Sequence, residues 1–190
     1  MGETWVALSR DLKAETRALK GEKEEGRKAL AVLLDNIRSA WNVGSILRTA
    51  DGFGFRYAYL CGITPTPDNE AVTKTSLGAE DSVRWSYHKD AVSLVRGLKA
   101  EVWKVYGLEE DPRALPLESD GLPSKIRELA PALQILILGN ELTGIDPELL
   151  DLCDQIFYIP MRGEKKSFNV AIAFGIAAYA LSKENEERLS

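Results

Sequence analysis

The sequence has few of the residues on which metal and disulfide chemistry depends. Its 190 residues include two cysteines, Cys61 and Cys153, and one histidine, His88. Two cysteines form neither a disulfide framework nor a four-cysteine zinc site, and one histidine excludes sites built on a histidine pair. A Ser-His-Asp triad would need His88, and no G-x-S-x-G motif supports one. We therefore expect reduced thiols and no metal.

Long apolar segments and the common nucleotide-binding motifs are also missing. The longest apolar candidate, residues 170–181, is shorter than the ~20 residues of a membrane helix, and residues 1–20 lack the apolar core of a signal peptide. No G-x-G-x-x-G motif is present, and Gly139 and Gly144 have only the outer spacing of a P-loop, without its Lys and Ser/Thr. We expect a cytoplasmic protein outside the usual dinucleotide and P-loop classes.

The chain is acidic overall. It carries 24 Lys and Arg against 29 Asp and Glu, a formal net charge of −5. Taken alone, this charge disfavours a nucleic-acid-binding protein, because such domains often have a basic face. Many of the acids fall in the N-terminal segment, in residues 109–120 and in the tail, so the total charge does not describe every surface.

The composition divides the chain into three parts. Residues 1–30 are highly charged with apolar residues at helical spacing, which predicts an N-terminal helical extension packed on the body or on a partner chain. Its charged face is interpreted as solvated, with an RNA-contacting arm as the alternative. Residues 31–183 are expected to form the main domain, and residues 184–190 a charged tail.

Within the main domain, short apolar runs alternate with helical patterns. The runs predict strands at residues 31–34, 57–61, 102–106, 135–138 and 156–159. The helical patterns lie near residues 42–52, 68–77, 90–99, 123–130, 146–152 and 168–183. Such alternation predicts an α/β fold with a mostly parallel sheet and helices on both faces. Residues 107–124, rich in Gly, Pro and acids, are expected to form a long surface loop.

Three segments combine a strand, a polar turn and a helix. In residues 33–51, an apolar strand leads to Asn42, a plausible N-cap, and Arg48 follows inside the helix. Both residues would lie near the carboxyl end of the strand, where open α/β sheets bind ligands. An ordinary capping Asn and a surface Arg are the alternative.

The second segment, residues 135–145, ends its strand in Gly139 and places Glu141 just beyond it. Gly139 permits a close approach by a ligand or a positive φ angle. The alternative is a glycine turn that leads into a helix starting near Asp146.

The third segment, residues 156–173, runs from a strand through a basic loop into an Ala-rich helix that Ser167 or Asn169 can cap. Close packing of this helix against its neighbours is the alternative explanation for its small residues.

Together the three segments resemble the motifs of the SpoU/TrmH family of RNA ribose 2′-O-methyltransferases, in the SPOUT superfamily. The matching patterns are N-x-G-x-I-x-R-T-A from Asn42, G-N-E-x-x-G-I from Gly139 and I-P-M-x-G-x-x-x-S-x-N-V from Ile159. Their order and spacing agree from about residue 33 to residue 181. Ala40 stands where Pro is frequent and Phe168 where Leu is usual, and the bulk of Phe168 is expected to reshape the adenine pocket.

The resemblance implies a C-terminal deep trefoil knot, although true knots are nearly absent from proteins. It also implies a homodimer whose active sites borrow residues from the partner, and no membrane. The implied cofactor is S-adenosyl-L-methionine, with S-adenosyl-L-homocysteine as the product. By this resemblance, the cofactor contacts the main chain at Leu108, Gly139, Ile159 and Phe168.

The same resemblance assigns the active site to five residues: Arg48, Asn42, Glu141, Ser167 and Asn169. Arg48 is implied to act on the 2′-hydroxyl with the help of an RNA phosphate. Because guanidinium pKa values exceed ~12, the alternative is that Arg48 positions the phosphate while phosphate or water accepts the proton. RNA contact is assigned to Arg38, Arg48, Arg162, Lys165 and Lys166.

The sequence therefore predicts an S-adenosylmethionine-dependent enzyme that methylates a ribose 2′-hydroxyl of tRNA or rRNA, with tRNA slightly favoured. The alternative is a catalytically silent knotted module that binds RNA or protein. Methylation of a base fits the Asn, Arg, Ser and Asn set less well.

Overall fold

The structure, a computed structural model, describes residues 12–17, 19, 29–117 and 133–186, with side chains as far as residue 182. Its strands are β1 (Ala29–Asp35), β2 (Phe55–Cys61), β3 (Arg84–His88), β4 (Lys104–Leu108), β5 (Leu115–Pro116), β6 (Leu133–Leu138) and β7 (Gln155–Tyr158). After a helical run at residues 12–17, its helices are α1 (Ala40–Gly52), α2 (Glu70–Ser76), α3 (Ala79–Ser82), α4 (Ala91–Ala100), α5 (Pro147–Leu152) and α6 (Val170–Glu186).

The strands form one seven-stranded sheet in the order β3-β2-β1-β6-β4-β7-β5. Every pairing between neighbours is parallel, so all the strands end at the same edge of the sheet. The central strands β1 and β6 are buried along their whole length, which explains why their sequences are continuous apolar runs rather than alternating ones. The predicted parallel α/β fold is confirmed.

Helices cover both faces of the sheet, as predicted. On one face, α1, α2, α3 and α6 bury their apolar side chains, among them Ile46 and Phe174, against the strands. On the other face, α4 and α5 pack beside Leu12 and Leu19 of the N-terminal segment. The indole N–H of Trp103 donates to the Thr16 hydroxyl at 3.1 Å. The described part of the N-terminal segment therefore packs on the body of its own chain.

Two parts of the sequence prediction need correction. Strand β3 was not predicted, because an edge strand with exposed and half-buried residues lacks an apolar run. The expected surface loop at residues 107–124 contains β5, which pairs with β7 at the outer edge of the sheet, where a proline is tolerated. The rest of that loop, from residue 118, and the helix expected at residues 123–130 lie outside the described residues.

Across the described ranges, no helix is both long and apolar enough to cross a membrane. Those same ranges bring together no group of three or more His, Cys, Asp or Glu side chains that could hold a metal ion.

Candidate active site

A cleft of about 300 Å³ opens at the carboxyl edge of the sheet, where the loops after β4, β6 and β7 meet. These loops come together because the three strands are near neighbours in a parallel sheet. Open α/β sheets bind ligands at this edge. The residues that line the cleft are Leu108, Glu109, Glu110, Leu138, Gly139, Asn140, Glu141, Leu142, Gly144, Tyr158, Ile159, Met161, Lys166, Ser167, Phe168, Asn169, Val170 and Ala173.

Glu141 connects the loop after β6 to the start of α1. One carboxylate oxygen, Oε2, accepts the backbone N–H of Arg38 at 2.9 Å. The other, Oε1, accepts the backbone N–H of Ser39 at 3.1 Å and the side-chain amide of Asn42 at 3.0 Å. Partial burial alone would raise the pKa of Glu141, but the hydrogen bonds from Arg38, Asn42 and Ser39 outweigh it and hold the pKa below its usual value. The carboxylate is therefore kept ionised as an acceptor.

Asn42 lies within the first turn of α1 and does not cap it. The N-cap is Ser39, whose hydroxyl accepts the backbone N–H of Asn42 at 3.3 Å. The predicted N-cap at Asn42 is therefore wrong, because the helix begins at Ala40, earlier than the polar pattern indicated. The amide of Asn42 is thereby left to bond across the site, and its Oδ1 accepts the amide N–H of Asn169 at 3.1 Å.

Asn169 serves two purposes at the start of α6. Its Oδ1 accepts the backbone N–H of Ala171 at 2.9 Å, which caps the helix, while its Nδ2 donates to Asn42. Ser167 and Phe168, immediately before it, line the cleft. A single chain of hydrogen bonds, Glu141 to Asn42 to Asn169, thus joins all three of the strand–turn–helix segments.

Gly44 explains the glycine of the first motif. A Cβ at this position would overlap the Thr75 side chain and the Val72 carbonyl oxygen of α2. Only glycine therefore allows α1 and α2 to pack this closely, and this packing fixes the helix that carries Asn42 and Arg48.

Arg48 lies on the solvent face of α1, two turns beyond its start. Its side chain is exposed and forms no hydrogen bond or ion pair with the described part of the chain. Among the predicted RNA-contacting residues, Arg38, Arg162, Lys165 and Lys166 are likewise exposed and unpaired within the described ranges. In contrast, the ion pairs at other surfaces occupy Lys74, Arg96, Lys99, Lys104 and Arg113.

The four predicted cofactor-contacting residues, Leu108, Gly139, Ile159 and Phe168, all line the cleft. The φ angle of Gly139 is not positive, and a Cβ there would overlap the backbone of Gly144 and Ile145, so the alternative of a glycine turn before a helix near Asp146 is confirmed. The glycine is required by the turn of its own chain, in which Asn140 and Gly144 exchange backbone hydrogen bonds.

No role was predicted from the sequence for four polar residues that line the cleft, Glu109, Glu110, Asn140 and Tyr158. Glu109 Oε2 accepts the backbone N–H of Ile145 at 3.0 Å, so it ties the loop after β4 to the turn after β6. Asn140 donates from Nδ2 to the carbonyl oxygen of Asn36 at 2.7 Å. Strand β4 ends at Leu108 rather than at residue 106 as predicted, which moved Glu109 away from the strand end in the sequence interpretation. Polar residues immediately after a buried strand were the available signal.

His88 takes no part in the cleft. It lies at the end of β3, buried, with Nε2 at 2.7 Å from the Ser86 hydroxyl oxygen. Burial lowers the pKa of His88, which favours the neutral ring. The polar side chains that line the cleft are carboxylates, amides, the hydroxyls of Tyr158 and Ser167, and one lysine.

A parallel α/β sheet with a polar cleft at its carboxyl edge defines the chain as an α/β protein of the ligand-binding type. The chain matches the model of the SpoU rRNA Methylase family over residues 29–179. Since this match covers most of the sequence, the chain belongs to that family.

Relatives with assigned names act on two kinds of RNA. A tRNA (guanosine(18)-2'-O)-methyltransferase from Aquifex aeolicus is 28% identical over 179 residues, which cover 93% of this chain and 80% of the relative. The 23S rRNA (guanosine(2553)-2'-O)-methyltransferase RlmP from Bacillus subtilis is 33% identical over 150 residues, 79% of this chain and 56% of the relative. The chain thus spans little more than half of the rRNA enzyme.

Among solved structures, the SpoU methyltransferase AviRb from Streptomyces viridochromogenes, in complex with the cofactor AdoMet, has the same fold. It superposes with a TM-score of 0.71 at 23% identity, over 86% of this chain and 59% of that chain.

Proposed function

We propose that the protein is an S-adenosylmethionine-dependent RNA methyltransferase that transfers a methyl group to a ribose 2′-hydroxyl of tRNA or rRNA. The observation that carries this proposal is the hydrogen-bonded chain from Glu141 through Asn42 to Asn169 at the mouth of the cleft. It joins one residue from each of the three motif segments, and Arg48 extends from the same helix. Since the relatives are named guanosine 2′-O-methyltransferases, guanosine is the first nucleotide to test.

The residues of the cleft fit the cofactor. The volume of about 300 Å³ is at the small end of the range for small-molecule pockets, and the walls at Leu108, Ile159 and Phe168 are apolar. Backbone groups of these residues and of Gly139 would hold the adenosine. The carboxylates of Glu109 and Glu110 border the same cleft and suit a cationic ligand. When bound, S-adenosylmethionine supplies a methyl group on a positively charged sulfur.

Methyl transfer forms a bond from the ribose 2′ oxygen to the methyl carbon and breaks the carbon–sulfur bond, so the hydroxyl must lose its proton. His88 is buried away from the cleft. The Arg48 guanidinium stays protonated because guanidinium pKa values exceed ~12. We assign Arg48 to hold the phosphate beside the 2′-hydroxyl, with that phosphate or water as the proton acceptor.

The remaining site residues position the reactants. Asn42 and Asn169 hold each other through their amides, and Glu141 fixes Asn42. Ser167 lines the cleft beside them and offers a hydroxyl to the ribose. Holding two reactants in line is worth many orders of magnitude in effective concentration. Most of the rate enhancement in this proposal therefore comes from orientation.

The net charge of −5 is compatible with RNA binding because the unpaired cations are not spread evenly. The side chains of Arg38, Arg162, Lys165 and Lys166 are exposed near the motif loops without carboxylate partners in the described ranges. Attraction to phosphates depends on this local field rather than on the total charge. We propose that these four residues and Arg48 form the RNA-contacting surface.

We also propose a homodimer and a knot. Helix α6 exposes Ile172, Ile176 and Tyr179, which recur at helical spacing and form an apolar stripe suited to a second copy. Replacing Ile176 with Glu should shift the sedimentation coefficient to that of a monomer.

The support for the knot is the strand order. Strands β4 and β5 follow one another in the chain, yet β7, which comes later in the chain, lies between them in the sheet.

The function is tested with radiolabelled S-adenosylmethionine and RNA. The wild type should transfer label to unfractionated tRNA or to rRNA, with tRNA tested first because the tRNA relative aligns over 93% of this chain. Arg48→Ala should abolish transfer while calorimetry shows unchanged cofactor affinity. Arg96→Ala, which removes an exposed arginine that pairs with Glu148 on another surface, is the matched control and should remain active.

Two results would contradict the proposal. RNA binding without any transfer to either RNA pool would favour a catalytically silent module. Unchanged turnover in Arg48→Ala would remove the proposed role of that residue.

A further inference from the structure

Trp41 is an exposed tryptophan that belongs to neither of the two buried apolar cores of the fold. It is 58% exposed in the first turn of α1. Trp103, in contrast, is buried, and its indole N–H is hydrogen-bonded. A large aromatic side chain kept in water beside a candidate active site indicates a surface that is covered by a ligand.

Trp41 shares a face of α1 with Arg48. The two residues are seven positions apart, which is two helical turns or about 10 Å along the axis. Ser45 lies between them and is half-buried, whereas Trp41 and Arg48 are exposed. The indole and the unpaired guanidinium therefore lie on one solvent-facing stripe.

The turn that carries Trp41 is held rigidly. Glu141 accepts hydrogen bonds from the backbone just before Trp41 and from the Asn42 side chain just after it. Trp41 precedes Asn42 as Phe168 precedes Asn169, and the two asparagines are bonded to each other. Phe168 lines the cleft and Trp41 does not, so Trp41 lies outside the cleft, next to its polar mouth.

We propose that Trp41 is a stacking site for an unpaired RNA base beside the methylated nucleotide. The inference rests on the proposed function and adds a binding subsite to it. Single-stranded RNA is recognised by stacking of unstacked bases on aromatic side chains, and arginines bind the adjoining phosphates. Arg38 and Arg48 flank Trp41 in the sequence and are exposed, and their side chains have no partner in the described part of the chain.

The test compares Trp41→Ala and Trp41→Phe by filter binding to unfractionated tRNA and, separately, to rRNA. Loss of one stacked base should weaken RNA binding by at least about fivefold in Trp41→Ala. Trp41→Phe keeps an aromatic face and should bind within about twofold of the wild type. Val102→Ala is the control, since Val102 is exposed just before the amino end of β4, whereas the cleft lies at the carboxyl ends of the strands.

Tryptophan fluorescence gives a second readout that a purely structural role would not move. RNA should quench the wild type more strongly than Trp41→Phe, and calorimetry should show equal affinity for S-adenosylmethionine in all variants. Equal RNA affinity of Trp41→Ala and wild type in both pools would overturn the inference. A change from dimer to monomer in Trp41→Ala would do so too, because it would place Trp41 in a subunit interface. If the wild type transfers no methyl group but its RNA binding still depends on Trp41, the proposed methyltransferase function is overturned while the stacking site stands.

Discussion

Replacing Glu141 tests whether one carboxylate organises the candidate site. In Glu141→Ala, the backbone N–H groups of Arg38 and Ser39 and the amide of Asn42 all lose their acceptor. Hydrogen bonds to a charged group contribute about 1.5–3 kcal/mol each when buried, but these are exposed to solvent, so the three together should contribute about 1–2 kcal/mol. For a protein of this size, the melting temperature should fall by about 2–8 °C.

The effect on turnover should exceed the effect on stability. Without Glu141, the start of α1 and the Asn42 amide are no longer fixed relative to the cleft, and misplacement by about 1 Å can reduce a rate about 100-fold. Glu141→Gln keeps the shape but turns one acceptor into a donor that faces a backbone N–H. It should therefore restore only part of the activity. Glu148→Gln, an equal charge change on the exposed surface of α5, is the control and should behave as wild type.

The pH dependence of this contribution has a defined sign. The hydrogen bonds hold the pKa of Glu141 below its usual value of 4.5 in the folded state. The stabilisation is therefore complete above pH ~4.5 and is lost as the pH falls through the folded-state pKa. Urea unfolding of wild type and Glu141→Gln should give a constant difference in the free energy of unfolding from pH ~8 to about 5.5. A difference that disappears near pH ~6, or full activity in Glu141→Gln, would refute this role.

Two further variants test the supports of the site. Gly44→Ala should destabilise the protein by about 1–3 kcal/mol in urea unfolding, because the added Cβ would overlap α2. The control is Gly52→Ala on the same helix, which should be neutral or stabilising because no atom lies within 4 Å of the added Cβ. Equal effects of the two substitutions would refute the packing argument. Glu109→Ala should weaken S-adenosylmethionine binding by about tenfold in calorimetry, because the backbone N–H of Ile145 loses its hydrogen-bond acceptor. The control is Glu70→Ala, which removes an exposed glutamate that pairs with Lys74 on α2 and should bind as wild type. Unchanged binding in Glu109→Ala would argue against a role of this hydrogen bond in shaping the cleft.

Sequence patterns located the strands that build the centre of the sheet but not its edges. Continuous apolar runs such as residues 135–138 are unambiguous because both faces of β6 are buried. Strands β3 and β5 are at the two edges, where side chains face water and the apolar signal is lost. The exposure of the edge strands is therefore the reason that the sequence patterns missed them.

The candidate site shows a similar division. The motif spacing predicted that Asn42, Glu141 and Asn169 lie together, because polar residues after parallel strands share an edge, and the structure joins the three by hydrogen bonds. Which groups bond to each other depends on the loops: Ser39 took the capping role predicted for Asn42, and Glu141 bonds to the backbone at residues 38 and 39. Glu109 was not recognised because the predicted strand stopped at residue 106, two residues short of the end of β4 at Leu108.

The position of the transferred methyl group tests the central claim most directly. A methyl group on a ribose 2′ oxygen blocks attack on the adjoining phosphate, so the RNA backbone becomes resistant to alkali at that nucleotide. After reaction with labelled S-adenosylmethionine, alkaline digestion should release the label in alkali-resistant dinucleotides, and Arg48→Ala should give none. Label recovered in ordinary mononucleotides that carry a methylated base would contradict the account.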